Sequence, residues 1–259
     1  MKNYYESLPQ EKRPYIQDFH HSNHATVLYN AMIHPLIEFP IRGVIWYQGC
    51  NNVGRAAQHQ ALFQTLITDW RKCWKNPDMP FYFVQLANYL QPSDLQPESQ
   101  WALLRESQAD ALCLPHTGMV SNIDLGDAKD IHPKTKREVG RRMAAIALNQ
   151  TYGKHKTAFT APVYERYTVE ADGIHIHFAT PQGSEPLVIE DNLPGFILAG
   201  ANRQWHVAKA KVLSGNEVVV SCEGIHFPVA VRYGWADNPT CTLRTQSGLH
   251  VAPFRTDRW

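Results

Sequence analysis

The sequence has little excess charge of either sign and no long apolar run. Its 25 lysines and arginines nearly balance 24 aspartates and glutamates, and because nucleic-acid binding depends on a basic excess, we expect no nucleic-acid partner. No apolar stretch reaches the roughly 20 residues that a membrane-spanning helix needs, so we expect no membrane partner. Residues 1–15 are too polar for a secretory signal peptide, and the cellular compartment stays undetermined.

Cysteines are also scarce: five are scattered along the 259 residues, without a Cys-x-x-Cys pair. Their spacing excludes a disulfide framework and a cysteine zinc site. We interpret the histidines near the start, His20, His21 and His24, as part of a solvated polar segment rather than as metal ligands. The sequence contains no phosphate-binding loop or dinucleotide fingerprint, and it predicts neither a metal nor a cofactor.

Two periodicities alternate between about residues 25 and 150. Short apolar runs typical of buried strands are each followed by apolar residues at helical spacing. The predicted strands are 43–47, 81–86 and 118–123; the predicted helices contain Leu62 to Trp70 and stop at Asn76-Pro77, span about 99–112, and contain Val139 to Ile146. This alternation predicts βαβ units and a parallel sheet that is covered on both faces.

The pattern changes near residue 152, where helical spacing gives way to short alternating runs separated by turn residues. These runs predict an antiparallel β-sandwich of about one hundred residues, with strands at 174–178, 187–189, 196–198, 210–212, 218–220 and 229–232. The sequence therefore predicts two domains, an α/β domain over residues 1–152 and a β-sandwich domain over residues 153–259.

Polar residues follow each predicted strand of the first domain, at the edge where open parallel sheets bind ligands. They are residues 48–52 after the first strand, Asn88 and Tyr89 after the second, and residues 124–133 after the third. Amides and aspartates are also good turn and capping residues, so each loop taken alone has a purely structural explanation. Their occurrence in three loops favours a shared site.

Asp130 and His132 form the most informative pair in these loops. A carboxylate two residues before a histidine suits a general base, because it can orient the imidazole and stabilise the imidazolium. The alternative is a surface histidine beside a capping aspartate. The loop of Gln48, Gly49, Asn51 and Asn52 can supply N–H donors to an oxyanion, and its alternative is a plain glycine turn.

Several longer motifs together resemble the sialate O-acetylesterases, SGNH/GDSL-type hydrolases that remove O-acetyl groups from sialic acids and related sugars. The resemblance runs from about residue 25 to the end of the chain. The segments that carry it are 43–49 with Asn51-Asn52, 66–71, 83–89, 130–134, 139–142, 231–239 and 253–257.

The resemblance implies a flavodoxin-like SGNH hydrolase sheet, an acetylated sugar as substrate, a serine nucleophile, a histidine base and no metal cofactor. It also implies that the backbone N–H of Ala31 and the side chain of Asn88 contribute to oxyanion or substrate binding. In many SGNH enzymes the carboxylate lies three residues before the histidine, where this chain has Lys129. Asp130 is the better candidate for this role and Asp127 the second. Relatives are typically exported.

Two departures from the family pattern change the expectation. The Gly-Gln-Ser-Asn-Met-type segment that carries the nucleophile is absent from these residues, and Ser22 lacks the strand and turn that would present it. Cys50 replaces an acidic residue of the family loop, and we interpret it as a buried turn residue rather than a substitute nucleophile. We therefore expect an N-terminally incomplete sheet and weak or no activity of the isolated chain.

Two consequences follow from that expectation. The first is an alternative function, a non-catalytic carbohydrate-binding or interaction protein derived from the family. The second is a homo-oligomer that forms through the exposed edge of the sheet.

Overall fold

Three parallel strands form the first sheet in the computed structural model, which describes residues 26–154 and 157–259. The strands are β1 (Val44–Trp46), β2 (Phe81–Val84) and β3 (Thr117–Val120), in the order β1-β2-β3. Both pairings are parallel. The expectation of an α/β domain with a parallel sheet is confirmed.

Three helices pack on the two faces of this sheet: α1 (Ala56–Cys73), α2 (Gln100–Ala109) and α3 (Lys136–Ile146). Phe63 and Ile67 of α1 pack with Phe81 and Phe83 on one face, while α3 packs on Tyr82 and Val84 from the other. The Ser99 side chain caps α2 by accepting a hydrogen bond from the Ala102 N–H at 3.0 Å. The helices thus follow the apolar spacing of the sequence.

Among the described residues, the sheet is not covered on both faces along its whole width. Ile45 of β1 lies in register with Tyr82 of β2, but α3 packs mainly on β2 and β3. Ile45 is therefore 72% exposed. The expectation of two covered faces holds for β2, whose four residues are all buried, whereas the described residues leave one face of β1 exposed at Ile45.

Eight strands form two antiparallel sheets in the rest of the described chain, with the orders β4-β5-β9-β8 and β11-β10-β6-β7. The two sheets share one apolar core, which confirms the predicted β-sandwich. The strands are β4 (Val163–Glu170), β5 (Gly173–Ala179), β6 (Phe196–Gly200), β7 (Trp205–Val207), β8 (Lys209–Ser214), β9 (Glu217–Ser221), β10 (Pro228–Tyr233) and β11 (Phe254–Arg255).

Two differences from the predicted strands have simple causes. Residues 187–189 do not form a strand, because only Leu187 pairs, in a single bridge to Thr245. The short strands β7 and β11 were not predicted from the sequence, and neither was the longer strand β4. It lies at the edge of its sheet, pairs only with β5 and is largely exposed, so its sequence carries little apolar alternation.

Arg105 joins the α/β part to the sandwich. Its side chain is fully buried and donates hydrogen bonds to the carbonyl oxygens of Leu86 and Ala87 and to those of Ala236 and Asp237. Burial lowers the pKa of Arg105 to about 9. The domain boundary near residue 152 stays a prediction. None of the described helices is long and apolar enough to cross a membrane.

Candidate functional site

The loop after β1 is held by a side chain of α2. Gln108 accepts a hydrogen bond from the Leu86 N–H at 2.9 Å and donates to the Gln48 carbonyl oxygen at 3.1 Å. Gly49 follows at φ +157°, where a Cβ would lie 2.9 Å from Gln108 Nε2. Glycine at this position therefore allows α2 to bind the loop closely.

The polar side chains of this loop contact each other as well as solvent. Cys50–Asn52 form a single 3-10 turn, and Gln48 Nε2 donates to Asn52 Oδ1 at 2.9 Å. Asn51 is exposed, and its backbone carbonyl oxygen accepts a hydrogen bond from the Arg55 side chain. Because the Asn52 oxygen is engaged by Gln48, the group that Asn52 can offer to a substrate is its amide N–H.

Hydrogen bonds within the loop after β3 fix the backbone that leads to His132. Asp127 Oδ1 accepts from the Lys129 N–H at 2.8 Å, and Asp130 Oδ1 accepts from the His132 N–H at 2.9 Å. Hydrogen bonds from the Lys129 and Asp130 N–H groups lower the pKa of Asp127. Asp127 thus acts here as a turn residue.

Asp130 also approaches the imidazole of His132. The distance between its Oδ1 and His132 Nδ1 is 3.6 Å, and the side chains are 42% and 84% exposed. Catalytic hydrogen bonds are often this long in the absence of substrate. The assignment of Asp130 rather than Asp127 as the partner of His132 stays a prediction, and these distances favour it.

The loops after β1 and β3 are adjacent at the carboxyl edge of the sheet. Ile131 and Cys50 both pack against the cluster formed by Leu86, Trp101 and Leu104. The Lys136 ammonium group, at the start of α3, lies 4.7 Å from the ring centre of Tyr47, directly before Gln48. Residues 48–52 and His132 are therefore brought to the same edge, as the alternation of strands and helices predicts.

Both the nitrogen and the oxygen of the Asn88 side-chain amide form hydrogen bonds. Its Nδ2 donates to Asn238 Oδ1 at 2.6 Å, and its Oδ1 accepts from the Gly126 N–H at 2.7 Å. A contact with substrate stays a prediction. In the structure, Asn88 connects the loop after β3 to the sandwich.

Ala31 lies apart from these loops. It belongs to a π-helical turn, Tyr29–Ile33, which contacts Cys73 through the Tyr29 hydroxyl at 3.3 Å. Cys73 ends α1, whereas residues 48–52 precede its start, and an 18-residue helix spans about 27 Å. The proposed oxyanion contact of the Ala31 N–H has no support from this arrangement and stays a prediction.

Cys50 has the environment of a structural cysteine. Burial raises the pKa of its thiol, which disfavours the thiolate that a nucleophile requires. The other discounted residues, Ser22 with His20, His21 and His24, lie outside the described residues.

Three potential metal ligands meet in the sandwich at the β4–β5 hairpin, far along the chain from the candidate site: Glu170, Asp172 and His175. His175 Nε2 lies 2.9 Å from Asp172 Oδ1, and its Nδ1 lies 2.8 Å from Glu217 Oε1. Both ring nitrogens of His175 therefore already have carboxylate partners, which suits an imidazolium.

A cavity of about 370 Å³ lies where the free side of β3 meets the sandwich. Its lining includes Ser121, Arg142, His250 and the Tyr164 and Phe254 rings. Neither His132 nor residues 48–52 contribute to it. Burial lowers the pKa of His250.

The sequence did not indicate which residues anchor the start of the loop that contains His132. Arg142 of α3 binds both carboxylate oxygens of Asp124, at 2.7 and 2.6 Å, and donates to the Ser121 carbonyl oxygen. It also pairs with Glu138, whose pKa is lowered to about 2 by hydrogen bonds from Arg141 and Arg142. A buried arginine reads as an ordinary helix residue in the sequence, so only its presence in the 139–142 motif could have marked it.

Comparisons with known proteins show which family the chain is similar to. Mouse (Mus musculus) sialate O-acetylesterase is 29% identical over 255 residues, which cover 88% of this chain and 47% of the relative. The human (Homo sapiens) sialate O-acetylesterase is 27% identical over 252 residues, which cover 88% of this chain and 48% of the relative. The chain thus spans about half the length of the curated relatives it matches.

A solved structure is similar over most of the chain. The carbohydrate acetylesterase from Xanthomonas citri superposes with a TM-score of 0.82 at 40% sequence identity, covering 90% of this chain and 54% of that one. The family described as "Carbohydrate esterase, sialic acid-specific acetylesterase" matches residues 15–149. These matches confirm the resemblance stated from the motifs, and the chain belongs to this family of carbohydrate esterases.

Proposed function

We propose that this chain carries the histidine half of a carbohydrate O-acetylesterase site, with an O-acetylated sialic acid or related sugar as substrate. One observation supports it above the others: Ile131 and Cys50 pack on one cluster, which favours a common position for the loops of His132 and of residues 48–52 at the carboxyl edge of the sheet. Family membership supports the reaction type.

The proposed chemistry is acyl transfer. A serine Oγ attacks the acetyl carbonyl carbon, His132 accepts the hydroxyl proton, and the proton passes to the sugar oxygen as the acetyl-enzyme forms. His132 then takes a proton from water, which attacks the acetyl-enzyme, and the imidazolium returns the proton to the serine oxygen as acetate leaves. Asp130 orients His132 and stabilises the imidazolium during both steps.

The loop of residues 48–52 would stabilise the tetrahedral intermediates. The Asn52 amide N–H is the best-supported donor, because Gln48 binds the Asn52 oxygen and leaves the nitrogen available. The backbone around Gly49 and the Asn51 side chain are further candidates. Each well-placed donor contributes on the order of 3 kcal/mol to transition-state stabilisation.

The proposal also holds that none of the 259 residues acts as the serine nucleophile. Within residues 26–154 and 157–259, no serine hydroxyl hydrogen-bonds to His132, whose polar contacts there are with Asp130. The isolated chain is therefore expected to release acetate from O-acetyl sialic acid at the background rate.

The test combines turnover and binding. Acetate release from 9-O-acetyl sialic acid is compared between the chain and His132→Ala, and sugar binding is measured by saturation-transfer NMR for the chain and Asn52→Ala. Background turnover with binding that Asn52→Ala weakens is the expected result. A rate that His132→Ala abolishes would establish the esterase and refute the missing nucleophile, whereas absence of both turnover and binding would refute the proposed function.

The alternative, a non-catalytic carbohydrate-binding protein, differs in its ligand preference. A binding protein without an esterase site has no need to recognise the acetyl group, so sialic acid and its 9-O-acetyl form would bind equally. The proposed site instead predicts tighter binding of the acetylated sugar, because the Asn52 N–H contacts the acetyl carbonyl oxygen.

We also propose that a second copy of the chain pairs along β1. Among residues 26–154 and 157–259, strand β1 ends the sheet order, and within that part of the chain one of its edges carries N–H and C=O groups without a strand partner. Ile45 exposes an apolar side chain at the same place.

A further inference from the structure

The turn at residues 236–239 belongs to the sandwich, but it forms hydrogen bonds with residues that follow β2 in the α/β part of the chain. The Tyr89 N–H donates to the Asp237 carbonyl oxygen at 3.1 Å, and the Ser93 N–H donates to the Asn238 carbonyl oxygen at 3.1 Å. The Asp237 carboxylate accepts from the Ser99 hydroxyl at 2.6 Å and from Gln96 Nε2 at 2.8 Å. These hydrogen bonds fix the turn against the residues that follow β2.

Asn238 is the member of this turn that reaches toward the candidate site. It is 6% exposed, its Nδ2 donates to the Leu90 carbonyl oxygen at 2.6 Å, and its Oδ1 accepts from Asn88 Nδ2 at 2.6 Å. Both ends of its amide are thus used, which sets its rotamer and presents the oxygen to Asn88.

Asn88 passes this constraint to the loop after β3. Its Oδ1 binds the Gly126 N–H, and Tyr89 pairs with Asp127 in an isolated parallel bridge. A Cβ on Gly126 would overlap the Asn88 carbonyl oxygen, so the two backbones are in direct contact. The path from Asn238 to the start of the His132 loop therefore consists of two side-chain hydrogen bonds.

His132 depends on this loop for its position because little packs against its ring. Its side chain is 84% exposed, and among the described residues the polar contacts of His132 are with Asp130, which lies in the same loop. A displacement of about 1 Å in a catalytic group costs on the order of a hundredfold in rate. The backbone of residues 124–132 must therefore fix the position of His132, because the packing of its ring does not.

We propose that Asn238 of the sandwich is a positioning residue for the His132 loop and acts through Asn88. This rests on the proposed role of His132. This proposal gives the 231–239 motif of the sandwich a function: it positions the His132 loop without contacting the substrate.

Hydrogen exchange measured by mass spectrometry tests the link without requiring turnover. In Asn238→Ala, amides of residues 124–132 are expected to exchange roughly tenfold faster or more, because the loop opens more often. The histidine Cε1–Hε1 NMR signal of His132, assigned by its loss in His132→Gln, should shift in the same variant. Asn202→Ala is the matched control: its Oδ1 accepts from the Gln204 N–H in a turn of the same domain, so residues 124–132 should stay protected.

A double-mutant cycle separates a link from two independent effects. If Asn238 acts through Asn88, the Asn88→Ala/Asn238→Ala variant loses no more protection than Asn88→Ala alone. Where Asn238→Ala does not fold, Asn88→Asp serves instead, since it keeps the oxygen that binds Gly126 and removes the N–H that binds Asn238. Unchanged exchange in a folded variant, or additive losses, would overturn the proposal.

Kinetics distinguish this proposal from the proposed function. In a preparation that hydrolyses acetyl esters, Asn238→Ala should lower kcat and leave KM unchanged. If His132 has no catalytic role, the exchange effect remains and the effect on kcat disappears.

Discussion

Amide side chains near the candidate site differ in what their hydrogen bonds leave available. Asn88 binds Asn238 and Gly126, whereas Asn52 accepts from Gln48 through its oxygen and keeps its N–H groups for a ligand. In the sequence both are asparagines after a strand. Only their partners separate a residue that supports the loop from one that can contact substrate.

His175 gives the clearest pH dependence at the scale of a residue. Burial opposes its protonation, but hydrogen bonds to Glu217 and Asp172 outweigh this and raise its pKa above 6.5. Because the folded state binds the proton more tightly than the unfolded state, this stabilisation is complete below about pH 6.5 and is lost as the pH rises through the raised pKa.

Urea unfolding at several pH values measures this contribution. The free energy of unfolding should exceed that of His175→Gln most at low pH, and the difference should shrink toward alkaline pH. His177→Gln is the control, since the ring of His177 binds the Thr168 hydroxyl rather than a carboxylate. A difference that does not change with pH would contradict the assignment.

Helix α3 shows how one element serves both stability and the site. Its Arg142 binds Asp124 at the beginning of the His132 loop, while its other side faces solvent. Gly140 lies on that exposed side, and a Cβ there would meet nothing within 4 Å. Glycine at this position therefore serves no packing purpose.

Gly140→Ala is expected to stabilise the protein by about 0.5–1 kcal/mol, because alanine loses less backbone entropy on helix formation. Chemical denaturation of the variant and the parent protein measures the change. Gly126→Ala provides the contrast: its Cβ would overlap the Asn88 carbonyl oxygen, and it should destabilise the protein. If both substitutions changed the free energy of unfolding equally, the expected stabilisation by Gly140→Ala could not be assigned to the helix.

The elements also show the limits of prediction from sequence. The buried strand β2 and the amphipathic helices were predicted correctly, because their apolar periodicity reflects burial directly. Strand β4 was missed because an edge strand with exposed faces leaves no such periodicity. Residues 187–189 were predicted as a strand, yet only Leu187 pairs, since an apolar run requires a neighbouring strand to form a ladder.

At the scale of the whole molecule, the edge of β1 has no partner strand among residues 26–154 and 157–259. Ile45 is 72% exposed, and the segment before it exposes further large apolar side chains: Leu28, Met32, Leu36 and Phe39. An unpaired strand edge beside apolar surface favours association with another strand.

Sedimentation velocity should therefore detect a dimer of the chain at micromolar concentration. Ile45→Lys places a charge at the edge and should shift the equilibrium to the monomer. Ile189→Lys is the control, because Ile189 is also exposed, at 62%, but lies outside β1. A monomer at all concentrations, or equal effects of both variants, would contradict pairing through β1.

The sequence by itself determined the order of strands and helices, the change to a β-sandwich and the family, because burial periodicity and motif order are local properties of the chain. It also placed His132 and residues 48–52 at one edge, since parallel strands direct their following loops to the same side. The tertiary structure decided which residues hold that edge together. Gln108, Asn88, Arg105 and Asn238 act through contacts between residues 22 to 150 positions apart, and no periodicity encodes contacts of that range.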